Sequence, residues 1–251
     1  SALSFVGCGT AGEGGSDAGS VSSEQKEEIR PAVFGVDYEA PEVENIEEWV
    51  WENRNASGVI TNKATGLSGI VRSPYFTGLK ANGTEVSVYS ERTAAGPHSF
   101  AYIDLDGVPE NARFVLDIEF VTASERSDPV VLPESAGVEA TVSGKKVNAK
   151  IFEYGVYTFT FDRDGKNSDG SECPLTLMVK PKENLVIPEG YTKREFEPGT
   201  YTYDETAFTE GKTVYYFKKG RYSVEGIKVP SDSVFYFEEG TVISMDVLTR
   251  R

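Results

Sequence analysis

Val214-Tyr-Tyr-Phe-Lys-Lys-Gly220 returns twenty residues on as Val234-Phe-Tyr-Phe-Glu-Glu-Gly240, and a fainter copy, Glu195-Phe-Glu-Pro-Gly199-Thr-Tyr201, precedes both. A repeat of about 20–25 residues is one circuit of a parallel β-solenoid, in which equivalent residues of successive circuits lie one above the other. The repeat therefore predicts an interior column of Phe196, Phe217 and Phe237. Gly199, Gly220 and Gly240 would mark a corner where the chain turns sharply and a Cβ is costly. The polar positions agree. Glu197, Lys218 and Glu238 fall in one column with alternating sign, and Lys219 faces Glu239, which suits strands about 4.8 Å apart. Tyr215 and Tyr236 are expected to be more exposed than Phe217 and Phe237. Thr241-Val-Ile-Ser-Met245 then runs to Arg251 with no capping signature. A stack with an open edge invites aggregation, so the solenoid is expected to continue beyond this sequence.

Upstream, from about residue 57 to 181, apolar and polar residues alternate in short runs. Arg113-Phe-Val-Leu-Asp-Ile-Glu-Phe-Val121 puts Phe114, Leu116, Ile118 and Phe120 on one face, and Tyr157, Phe159 and Phe161 alternate with Thr158 and Thr160. A period of two predicts strands with one buried face. Glu85–Tyr89, Ser99–Ile103, Val138–Val142 and Leu175–Val179 read the same way. Asn82-Gly83 and Ser143-Gly144 are turn signals between such runs. Strands at this spacing predict an antiparallel β-sandwich. A short helix is expected only near Asn45–Asn53. The fold class expected is all-β: an antiparallel β-sandwich followed by the first coils of a parallel β-helix. Residues 1–33 are assigned to a leader and linker, 34–185 to the sandwich, and 186–251 to the start of the β-helix, incomplete as given.

The 251 residues carry a formal net charge of −15, with 39% hydrophobic and 26% charged residues. That composition suits a folded globular protein rather than a disordered one. So acidic a surface repels nucleic acid phosphates and anionic lipid headgroups, so neither is an expected partner. Neutral ligands are indifferent to the field, whereas a polyanion would need a local basic cleft.

Ser1-Ala-Leu-Ser-Phe-Val-Gly7-Cys8 resembles the tail of a bacterial lipoprotein signal peptide, followed as in such proteins by a Gly/Ser/Ala/Glu tether reaching about Glu28. This resemblance implies lipidation of Cys8 and an extracytoplasmic protein, anchored at the cell surface or secreted, that meets the membrane only through that lipid. Lipidation would consume Cys8, so Cys173 is expected to be a buried thiol outside any disulfide. No other apolar run approaches the ~18 residues that a membrane span needs.

Several segments occur in a recognisable order: His98-Ser-Phe-Ala-Tyr102, Pro174-Leu-Thr-Leu-Met178, Pro198-Gly199-Thr-Tyr201 and the paired aromatic repeats. Over about residues 85 to 245 this order is similar to the amino-terminal region of the dextranase and isopullulanase family of glycoside hydrolases, within the polygalacturonase-like clan. The resemblance implies a sandwich preceding a right-handed parallel β-helix, with hydrolysis of a polysaccharide by Asp residues on later coils. Those coils have no counterpart here, so no catalytic residue is carried over and the chain is expected to be a non-catalytic, monomeric front portion without a cofactor. The sandwich would plug the end of the solenoid. A non-catalytic carbohydrate-binding or adhesion protein is the alternative. A β-helix lyase would need a basic residue, and often Ca²⁺, that the sequence does not present.

Glycoside hydrolysis needs two carboxyl groups across a cleft. Asp104 and Asp106 share a strand face, but among 40 acidic residues such a pair carries little weight, and a solvated strand end explains them. His98, the sole histidine, reads as structural. The loop containing Asp162, Asp164, Asn167 and Asp169 is rich in oxygen ligands for calcium, yet Lys166 and Gly165 break the EF-hand spacing, and no metal site is assigned with assurance. Trp49 and Trp51 are candidate sugar-stacking platforms, with burial in a β core as the commoner use of such rings.

Overall fold

The computed structural model describes residues 28–43, 49–54, 57–62, 70–93, 96–109, 112–127, 129–161, 173–202, 208, 211–227 and 230–247. Among them the protein is all-β, in several sheets of which none is closed; a 3-10 turn at Glu134–Ala136 is the only helical element. Strands are numbered in chain order.

The long strand β8 (Gly96–Asp106) organises the largest sheet. On one side it pairs in parallel with β14 (Leu175–Pro181), beyond which lie β13 (Gly155–Thr160) and β10 (Val130–Leu132). Its other side is shared in succession. The first half pairs with β7 (Tyr89–Thr93), which in turn pairs with β4 (Val71–Arg72), and the second half pairs with β1 (Ala32–Gly35). A five-stranded antiparallel sheet has the order β11 (Ala140–Ser143), β12 (Lys146–Ile151), β9 (Leu116–Thr122), β5 (Phe76–Ala81), β6 (Thr84–Glu85). One apolar core takes Leu116, Ile118, Phe120, Val147, Ala149 and Ile151 from the smaller sheet and Ala101, Ile103, Tyr157, Phe159, Leu175 and Leu177 from the larger. Phe120 and Phe159 meet edge to face across it, their centroids 5.4 Å apart. The alternation read in the sequence thus becomes the inner face of each strand.

Two expectations are corrected here. Trp49–Arg54 is a strand, β2, paired antiparallel with β3 (Ser57–Asn62), where a helix over Asn45–Asn53 was expected; residues 44–48 lie outside the described part. The alternating Trp-Val-Trp pattern fits a pleated ribbon better than a helical stripe. Glu85–Tyr89 is not one strand. The chain leaves the small sheet after Glu85 and enters the large one at Tyr89, and Val86 and Val88 are both buried along the crossing. The Asn82-Gly83 signal is met: both residues have positive φ (47° and 79°) between β5 and β6, the geometry of a two-residue hairpin.

Beyond residue 190 the chain alternates between two parallel three-stranded sheets. One contains β15 (Thr192–Phe196), β17 (Thr213–Phe217) and β19 (Ser233–Phe237); the other contains β16 (Gly199–Thr202), β18 (Arg221–Ile227) and β20 (Val242–Val247). Phe196, Phe217 and Phe237 are register partners, and their rings stack at 4.9 Å in each step. Lys218 pairs with Glu197 and, at 3.3 Å, with Glu195, whereas the Glu238 carboxylate accepts the Lys219 backbone N–H at 2.8 Å.

The tyrosine expectation fails. Tyr215 lies two residues from Phe217, so it shares the inner face and is fully buried, packed against Phe235 at 4.9 Å. The outward stack is Tyr216 on Tyr236 at 5.3 Å, with the Lys193 ammonium 3.7 Å from the Tyr216 ring. Phe237 is 37% exposed, because it lies in the third layer with Phe217 on one side of it.

The glycine corner holds for two of its three members. Gly220 (φ 142°) and Gly240 (φ 85°) occupy backbone that L-residues avoid, whereas Gly199 opens β16 opposite Tyr222 without it. A Cβ on Gly220 would overlap the Pro198 ring, and one on Gly240 would stand 2.8 Å from the Asp37 carbonyl oxygen. Asp37 follows β1, so this corner is also where the parallel sheets meet the two-sheet body. Arg221 Nη2 donates to the Glu39 carbonyl at 2.9 Å nearby. These contacts come from the turn after β19 and from the first residue of β18.

Asp37 is held firmly in place. Its carboxylate accepts hydrogen bonds from Arg72 at 2.7 Å, the Tyr89 hydroxyl at 3.0 Å and the Ser87 hydroxyl at 3.2 Å. Partial burial would raise its pKa, but these donors outweigh that and hold it below the ordinary carboxylate value.

Candidate functional site

The outer face of the five-stranded sheet carries a cavity of about 610 Å³. Its walls follow from strand phase. With Leu116, Ile118 and Phe120 turned inward, β9 presents Asp117 and Glu119 outward; with Val147, Ala149 and Ile151 inward, β12 presents Asn148 and Lys150. On β5, a bulge between Thr77 and Lys80, with Gly78 at φ 58°, resets the alternation so that Leu79 and Ala81 are buried and Lys80 faces out.

Register then assembles a row. Lys80 is opposite Glu119, Glu119 opposite Asn148, and Asn148 opposite Thr141. Beside it Lys150 is opposite Asp117, with nitrogen and oxygen 3.7 Å apart, and Arg30 also pairs with Asp117. Lys146 reaches Glu119 at 2.6 Å, and that hydrogen bond holds the Glu119 carboxyl below its ordinary pKa. Phe152 is part of the cavity lining, and Arg113 lies over its ring with the guanidinium carbon 5.5 Å from the centroid. Such a floor offers a donor, an acceptor and two groups that do both, beside one aromatic ring.

No family model matches the chain, and no curated protein matches it.

The residues singled out in the sequence do not converge on this cavity. Cys8 and the loop bearing Asp162, Asp164, Asn167 and Asp169 lie outside the described residues, as do the side chains of Trp49 and Trp51. Among the described residues no group of three His, Cys, Asp or Glu side chains is arranged to hold a metal ion. Cys173 is buried, its sulfur 3.2 Å from the Ser99 hydroxyl. His98 lies on β8 opposite Glu91, half-buried.

Asp104 and Asp106 separate in role. Asp106 is exposed and accepts the Gly107 N–H at 2.8 Å, ending the strand as a solvated residue. Asp104 is only 3% exposed, which corrects the expectation of two solvated carboxylates. Its register partners are Phe34 on β1 and Lys180 on β14, and Lys180 stands 3.7 Å from Oδ2. Oδ1 is buried without a hydrogen-bond partner among the described residues. Burial raises the Asp104 pKa, Lys180 opposes the shift, and the negative charges of Glu239 and Glu183 add to it. Glu239 sits on the corner turn beside Gly240, so this carboxyl senses the parallel sheets.

Lys80, Glu119, Asn148 and Thr141 were not singled out in the sequence. Each is an ordinary polar residue on the solvent face of an alternating strand, and only the cross-strand register, with the bulge at Gly78, brings them into one row.

Proposed function

We propose that this chain is the non-catalytic front portion of an extracytoplasmic protein that acts on a polysaccharide. In this reading the seven- and five-stranded sheets form a β-sandwich, seated against the opening coils of a right-handed parallel β-helix. The observation that carries it is the in-register column Phe196–Phe217–Phe237 in one of two parallel sheets whose strands alternate along the chain. Such layering is the architecture of β-solenoids. The order of segments resembles the dextranase and isopullulanase family and supplies the substrate class. A lipid on Cys8 would hold the protein at the cell surface. The saccharide-sized cavity favours a second reading, in which glycan binding or adhesion is the whole activity.

Affinity electrophoresis through gels containing dextran, pullulan or polygalacturonate tests both readings. The chain is expected to be retarded by at least one of these polysaccharides and to release no reducing ends from any. Release of reducing ends contradicts the non-catalytic assignment of the first reading, and unchanged mobility in all three contradicts the second, in which this chain itself binds glycan.

A further inference from the structure

We infer that the cavity on the outer face of the five-stranded sheet is a binding site for a neutral oligosaccharide, with Lys80, Glu119, Asn148 and Thr141 supplying the hydrogen bonds and Phe152 a stacking face. The inference deepens the polysaccharide reading by assigning it a site on the two-sheet body, away from the parallel sheets.

Size is the first argument. At about 610 Å³ the cavity falls within the ~300–1,000 Å³ usual for small-ligand sites, and it suits a short saccharide rather than a protein partner.

Chemistry is the second. The row across β5, β9, β12 and β11 reads ammonium, carboxylate, amide, hydroxyl. Neighbouring strands lie about 4.8 Å apart, so these groups form a ladder of donor, acceptor and two groups that do both. A sugar hydroxyl also donates and accepts, and adjacent hydroxyls on one ring can bridge adjacent members of such a row. Strand pairing fixes the backbone from which these side chains project before any ligand arrives, which lowers the ordering cost of binding.

Charge is the third, and it decides between ligand classes. The cavity lining holds the cations Lys80 and Lys150 against the carboxylates Asp117, Glu119 and Glu139; beside it Lys146 pairs with Glu119 at 2.6 Å, and Lys150 and Arg30 share Asp117. Little positive potential remains for a polyanion, and the overall charge of −15 opposes one further. An extended peptide would add to an open strand edge through its backbone, whereas β9 and β12 are paired on both sides and offer only side chains here. A neutral, hydroxyl-rich ligand is the class that these groups complement. The Phe152 ring, half-buried in the cavity lining with the Arg113 guanidinium over one face, would offer its other face as the flat apolar surface on which the C–H face of a pyranose packs.

The test is isothermal titration of the chain with neutral oligosaccharides prepared from whichever polysaccharide retards it, comparing wild type with Asn148→Ala and Phe152→Ala, and with Tyr236→Ala on the parallel sheets as a control. Asn148 is exposed, so Asn148→Ala is expected to keep the wild-type melting temperature, and it guards against misfolding of Phe152→Ala. Each groove variant is expected to lose about tenfold in affinity, equivalent to about 1.4 kcal/mol, through loss of a polar contact or of the stacking ring. Tyr236→Ala should bind as wild type. Wild-type affinity in both groove variants overturns the inference and leaves the polysaccharide reading standing. Loss of affinity in Tyr236→Ala alone moves the site to the parallel sheets. If wild type binds no neutral oligosaccharide but does bind polygalacturonate fragments, the neutral ligand class is overturned.

Discussion

Phe217→Ala is expected to destabilise the parallel sheets by about 3–5 kcal/mol, the usual cost of truncating a buried phenylalanine. Phe217 is the middle ring of the column, 4.9 Å from both Phe196 and Phe237, and it also packs edge to face on Tyr222 at 5.3 Å. Removing it strips contacts from all three layers at once, and neighbouring aromatic rings cannot collapse far into the space. The core of the parallel sheets shares no member with that of the two-sheet body. Hydrogen exchange should therefore show protection lost across β17 and β19 while β8, β9 and β14 keep theirs. A loss below about 1 kcal/mol, ordinary for a surface substitution, would mean that the column is not packed as described.

The second large effect concerns the corner. Gly240→Ala places a methyl group 2.8 Å from the Asp37 carbonyl oxygen and forces alanine into φ 85°. Left-handed backbone costs an L-residue about 1–2 kcal/mol and local overpacking a further ~1–3 kcal/mol. The overlap cannot be relieved by moving Asp37, whose side chain is bound by Arg72, Tyr89 and Ser87. The parallel sheets are expected to give way instead. Exchange should rise at residues 36–40 and 241–243 while the Phe120–Phe159 core stays protected. Wild-type stability and exchange in this variant would show that the corner does not rest on the body.

Much of this architecture was legible in the sequence, and the reason is periodicity. Alternation in residues 113–121 and 157–161 named the buried faces because successive side chains of a strand point opposite ways. The aromatic repeat named the column because parallel layers impose one residue per circuit at each height. Where the same rule was not followed through, the reading failed: Tyr215 shares its phase with Phe217 and had to be inside. Periodicity also says nothing about partners. The parallel pairing of β8 with β14 and the change of sheet between Glu85 and Tyr89 depend on tertiary contacts that a single segment does not encode. Asp104 escaped for the same cause. Its burial comes from β1 and β14 lying on either side of β8, segments about seventy residues away in each direction along the chain. The groove is the furthest case, since a lysine, a glutamate, an asparagine and a threonine on four strands mean nothing until register aligns them.

The stacking of strands β15 to β20 in parallel layers is the claim on which the polysaccharide reading depends, and ring-to-ring nuclear Overhauser spectroscopy on phenylalanine-labelled protein tests it most directly. Cross-peaks are predicted between Phe196 and Phe217 and between Phe217 and Phe237, with none between Phe196 and Phe237, which lie two layers apart. A spectrum in which Phe217 contacts neither of the other two would contradict the layered arrangement and remove the basis for placing this chain at the head of a polysaccharide-acting protein.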